Sequence, residues 1–125
     1  MLILPILNRD AFKYSIALEG TFYVVRLRWQ ERPAAWYMSL GTADETWLAE
    51  GVKLVRSRPL FSRLQDSRRP PGQFFCFEVG NPNPGTAITR ASLGRDQRLY
   101  YLTAADVAAR RVPSAADAVT FVEVP

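Results

Sequence analysis

Residues 12–29 constrain the fold more than any other part of the chain. In "FKYSIALEG", Phe12, Tyr14, Ile16 and Leu18 alternate with Lys13, Ser15, Ala17 and Glu19. A period of two puts the apolar set on one face of a strand, and it scatters around a helix of period 3.6. Glu19, Gly20 and Thr21 supply a turn. "FYVVRLRWQ" then places Tyr23, Val25, Leu27 and Trp29 on one face, while the other passes from Phe22 and Val24 to Arg26 and Arg28. Two such runs around a short glycine turn predict an antiparallel hairpin.

The pattern continues down the chain. "ERPAA" turns it, "AWYMSLG" reads as a strand with Trp36, Met38 and Leu40 on one side, and "TADET" leads to "WLAEGVKLV". There Gly51 interrupts the alternation and predicts a bulge. Trp29 and Trp36 flank a hairpin turn, which predicts cross-strand packing in the core; the alternative for them and Trp47 is a place in an interface. "QFFCFEV", "QRLYYLT" and "AVTFVEV" complete about seven strands. In "QRLYYLT", Tyr100 and Tyr101 take opposite faces, which predicts one in the core and one exposed or at a contact. Pro5 lacks a backbone donor, so "MLILPIL" is expected at an edge or periphery. "TAADVAARR" predicts one short helix, with Thr103 as its cap, Asp106 three residues on and Arg110 and Arg111 near its end. "VPSAADA" is compatible with another helical turn. The expected architecture is mainly β: a small antiparallel barrel or sandwich with one late helix.

With 125 residues, 48% of them hydrophobic and 22% charged, the chain is expected to form a single β-rich domain over 1–125. Its longest apolar stretch, the opening seven residues, is too short to span a membrane and lacks the flanks of a signal peptide. Synthesis in the cytoplasm is the expectation.

Chemistry is scarce. The lone Cys76 cannot form an intrachain disulfide and reads as a small buried residue. There is no histidine, which removes imidazole acid–base work, Ser-His-Asp and Cys-His nucleophiles and His-containing zinc sites. No GxxxxGK[ST] or GxGxxG pattern occurs. The prediction is a chain with no catalytic residues, no cofactor, no metal and no small-molecule substrate.

The net charge is +4, and the stretch Arg56 to Arg69 alone, with five arginines against Asp66, carries the same excess. Three readings of this Arg/Pro-rich loop, about 56–72, are open. It is a solvated loop, a nucleic-acid arm on a single-strand-binding β-barrel, or a docking loop for another protein. Against the nucleic-acid arm, the positive charge lies in one loop and not along a sheet face. Arginine outnumbers lysine 14 to 2, a bias that genome composition alone can produce, and Phe74, Phe75 and Phe77 sit in a dense apolar strand suited to core packing. Docking uses more of the residues. Arg56, Arg58, Arg63, Arg68 and Arg69 offer planar forks for carboxylates. Leu60, Phe61 and Leu64 offer apolar anchors, and Pro59, Pro70 and Pro71 lower the entropy lost on ordering.

The order of segments resembles the baseplate plug proteins of contractile-tailed bacteriophages. The resemblance is carried by the hairpin "FKYSIALEGTFYVVRLRWQERPAAWYMSL", by "GVKLVRSRPLF", by "SLGRDQRLYYLT" and by the Ala104–Asp106 entry to the helix. It covers roughly residues 8 to 110, and the segment after Val112 lies outside it. The resemblance implies a structural protein of the virion's tail baseplate, packed near the tail axis against hub, tail-tube and other baseplate proteins. It also implies several copies around that axis, no membrane and no catalytic residues. Nucleic acid is the less favoured partner.

Overall fold

Eight consecutive residue pairs, from Ala11↔Arg28 to Leu18↔Thr21, zip the predicted hairpin together. Its turn works because Glu19 and Gly20 both have positive φ, 51° and 84°, as a two-residue turn matching the twist of its strands requires. A computed structural model describes residues 2–55, 59–61, 64, 66–78, 88–95, 97–109, 117–118 and 121–124. Among these are nine strands: β1 (Leu2–Ile3), β2 (Ala11–Leu18), β3 (Thr21–Gln30), β4 (Ala35–Thr42), β5 (Trp47–Lys53), β6 (Gln73–Glu78), β7 (Gln97–Leu102), β8 (Asp117–Ala118) and β9 (Phe121–Val124). One helix, α1 (Ala104–Ala108), follows β7.

The strands form two sheets, ordered β5-β4-β3-β2-β9 and β6-β7-β1-β8. All pairings are antiparallel except β1 with β8. No ladder joins the sheets among the described residues, so the fold is a sandwich and not a closed barrel. All seven predicted strands are present, as β2 to β7 and β9.

The alternation in β2 and β3 has the predicted consequence. Tyr14, Ile16, Leu18, Val25 and Leu27 are completely buried between the sheets, facing Cys76, Leu99 and Tyr101 of the other layer. Each large apolar side chain so removed from water contributes about 1.5–3 kcal/mol. Trp29 pairs with Trp36 across the β3–β4 turn, ring centroids 5.7 Å apart. The bulge also falls where expected: Glu50 and Gly51 together oppose Ser39, Gly51 takes φ 65°, and its N–H donates to Ser39 Oγ at 3.0 Å.

Thr103 caps α1 as predicted: its Oγ1 accepts from Asp106 N, and Asp106 Oδ2 accepts from Thr103 N, both at 3.2 Å. Arg110 and Arg111 lie outside the described residues. So does most of "VPSAADA", whose last two residues form β8.

Two expectations are corrected. The opening segment is not peripheral: β1 runs between β7 and β8, and Leu4 is buried in the core. Pro5 is harmless because it follows the ladder, whose last bond in this stretch is Leu4 N to Leu99 O at 2.9 Å. Tyr100 and Tyr101 do take opposite faces, yet both are buried. Tyr101 enters the core, while Tyr100 on the outer face is ladder partner to Ile3 and Phe75 and lies 6.1 Å from the Phe77 ring.

Candidate docking surface

The connection from β5 to β6 carries the residues that the sequence singles out. It leaves the sandwich at Leu54, whose N–H still donates to Trp36 O at 2.9 Å. Arg56, Arg58 and Arg63 lie outside the described residues. At Leu60 the chain returns to the protein, bridging to Phe74 through Leu60 N to Phe74 O at 2.8 Å. Phe61 then adopts φ 59° and packs edge-on against Phe74, centroids 5.6 Å apart. Phe74 in turn meets Tyr101 at 5.1 Å. Leu60 and Phe61 are thus largely buried in this chain's own core, at 3% and 6% exposure. Leu64 packs partly buried against it.

These three residues still form a surface. With Val52, Val55 and Pro59 they line an apolar groove of about 350 Å³ beside β5, the edge strand of the larger sheet, and Lys53 stands at its rim. Val55 is 38% exposed there.

The described arginines of the loop have different tasks. Arg68 is exposed and forks onto Asp66, with Nε to Oδ1 at 3.0 Å and an Nη to Oδ2 at 2.9 Å. Hydrogen bonds from the Arg68 side chain and backbone hold the Asp66 carboxyl down at about 2. Arg69 turns inward: its guanidinium donates to Leu64 O at 2.8 Å, to Phe61 O at 3.3 Å and, at the limit of hydrogen bonding, to Gly72 O at 3.5 Å. A loop outside any ladder must find partners for such carbonyls, and a five-donor planar fork suits them. Arg69 therefore fastens the loop to itself.

Other residues holding the surface are not apparent from the sequence. Gly72 N donates to the Tyr101 hydroxyl at 2.8 Å, and that hydroxyl donates to Glu19 Oε2 at 2.5 Å. Glu19 Oε1 accepts from Ala104 N at 3.3 Å. The hairpin turn, the end of the loop and the start of α1 are thereby tied through one tyrosine. Burial, reinforced by the neighbouring Glu19, pushes the Tyr101 hydroxyl well above the ordinary tyrosine range. A side chain at position 72 would meet Leu102 O at 2.0 Å, so only glycine fits. The clue in the sequence is the Pro-Pro-Gly that ends the loop, but it does not disclose the tyrosine.

Of the three phenylalanines expected in the core, Phe74 is there. Phe75 and Phe77, two residues apart on the outer face of β6, stack on each other at 5.1 Å and are partly exposed.

The fold and this surface define a small β-sandwich that presents an apolar groove beside a charged loop. Residues 1–104 match the family model described as "Cyanophage baseplate Pam3 plug gp18", and the chain belongs to this phage baseplate plug family. It is thus a structural component of the virion's tail baseplate, where it associates with other baseplate proteins. No curated protein matches the chain.

Proposed function

We propose that the protein acts by contact and not by catalysis, in several copies around the tail axis, packing against hub and tail-tube proteins during tail assembly. The groove of Val52, Val55, Pro59, Leu60, Phe61 and Leu64 is the observation that carries this reading. An apolar concavity of this kind, with a cation at its rim, suits a partner segment with one or two apolar anchors and carboxylates beside them. Lys53 stands at the rim, and Arg56, Arg58 and Arg63 flank the lining residues in sequence. Arg68 presents its exposed guanidinium from the same loop.

The test is assembly. Leu64→Asp, and separately the triple change Arg56→Ala, Arg58→Ala and Arg68→Ala, are introduced into the phage. Arg69 is left intact because of its internal role. The purified triple variant should melt like the parent and Leu64→Asp, at a partly buried position, should stay folded with a lower midpoint, while virions of both lose the protein from the baseplate and lose infectivity. Normal particles containing both variants would refute the docking role of this surface.

A further inference from the structure

Strand register assembles a second charged surface that the order of residues along the chain conceals. Lys13 pairs with Arg26, and Arg28 with Ala11, across β2 and β3. Beside them a groove of about 470 Å³ is lined by Arg9, Lys13, Arg26 and Arg28, with Glu123 of β9 as its one carboxylate among the described residues. The row continues across the outer face: Arg28 is the partner of Tyr37, and Tyr37 that of Lys53.

Most of these cations are already held in place. Arg9 pairs with Glu123, and Lys13 with Glu45 at 3.0 Å. Arg26 bonds Ser39 Oγ at 3.2 Å, lies 3.7 Å from Glu50 and sits 4.4 Å over the Trp47 ring. Arg28 and Lys53 have no ion pair among the described residues. The result is a positively biased face in which three carboxylates are interleaved.

We propose that this face, which meets the rim of the groove beside β5 at Lys53, binds a second protein partner through separated carboxylates centred on Arg28. Interleaving decides the class of partner. A nucleic-acid backbone presents continuous negative charge, which Glu45, Glu50 and Glu123 would repel, whereas single carboxylates can reach Arg28 and Lys53 between them. Arg28 forms the centre of the contact because its fork is free and exposed.

The experiment titrates the folded protein by fluorescence anisotropy with a short labelled peptide of alternating glutamate and serine, against an oligothymidylate of equal charge. At about 50 mM salt the peptide should bind saturably, and more weakly at about 200 mM. Arg28→Glu should weaken it about tenfold or more, the scale of one charge-assisted hydrogen bond. Lys53→Glu should weaken it less, and Leu64→Asp, in the other groove, should leave it unchanged. Thermal melts show whether Arg28→Glu has kept its fold; should it not, Arg28→Gln replaces it. Absence of peptide binding at the lower salt, or binding indifferent to the change at Arg28, would overturn the proposal. Tighter binding of the oligothymidylate through Arg28 would also overturn it and assign the face to nucleic acid. Because Leu64→Asp tests only the groove beside β5, the two surfaces can fail independently.

Discussion

Replacing Arg69 by alanine separates an arginine that builds the loop from one that stands at the surface, clasped to Asp66. Its guanidinium donates to Leu64 O at 2.8 Å and Phe61 O at 3.3 Å, with Gly72 O at 3.5 Å too long to count for much. A hydrogen bond from a charged donor contributes about 1.5–3 kcal/mol, and Arg69 is only half-buried, so the lower end applies to the short bond and less to the longer one. The change should cost about 2 kcal/mol. With an unfolding entropy of about 2.1 cal/mol/K per residue, 125 residues give roughly 0.26 kcal/mol/K, so Tm should fall by about 8 °C. Arg69→Lys should recover less than half of this, because an ammonium keeps the charge but cannot span carbonyls with a planar fork. Arg68→Ala, whose clasp with Asp66 lies at the surface, should lower Tm much less. Calorimetric or circular-dichroism melts of the three variants decide the matter. Equal shifts for Arg68→Ala and Arg69→Ala, or a loss at Arg69 below about 2 °C, would refute the inward role assigned to Arg69.

Three further outcomes are expected. Gly72→Ala should destabilise by roughly 2–4 kcal/mol, since its methyl group would overlap Leu102 O and disturb the bond from Gly72 N to Tyr101; urea unfolding midpoints measure it, and a neutral change would contradict the packing described. Tyr14→Phe should raise stability by about 1 kcal/mol, because the Tyr14 hydroxyl is buried with no hydrogen-bond partner among the described residues; the same melts would show a loss if that hydroxyl were in fact satisfied. The Asp66 carboxyl, held at about 2 against an ordinary 3.8, favours the folded loop fully above that ordinary value. Its contribution should disappear as pH falls through about 2. An NMR titration of Asp66 should show this midpoint and its upward movement in Arg68→Ala; an unmoved midpoint would deny the clasp.

Local features were legible in the residue order. Alternation at 12–29 assigned each side chain of β2 and β3 to a face, because a strand has period two and one face had to be apolar. Glu19–Gly20, Gly51 and Thr103 announced the turn, the bulge and the helix cap, since each depends on backbone geometry within a few residues. The groove beside β5 is legible only in part. Leu60, Phe61 and Leu64 are apolar and line a groove, but the first two are also core residues. Apolarity alone does not distinguish those roles.

Tertiary structure decided where charge and polar groups went. Arg68 and Arg69 are neighbours in the chain, yet one faces water and the other closes on Phe61 and Leu64 carbonyls, because only the folded loop creates those acceptors. Tyr101, Glu19 and Gly72 are far apart in sequence and meet through hydrogen bonds that no local pattern encodes. The cations outside the loop look balanced when counted along the chain. Pairing of β2, β3, β4 and β5 places Lys13, Arg26, Arg28 and Lys53 on one face. Residue order determines the period of a strand and the chemistry of its turns; which charges become neighbours depends on strand pairing, and so on the whole sheet.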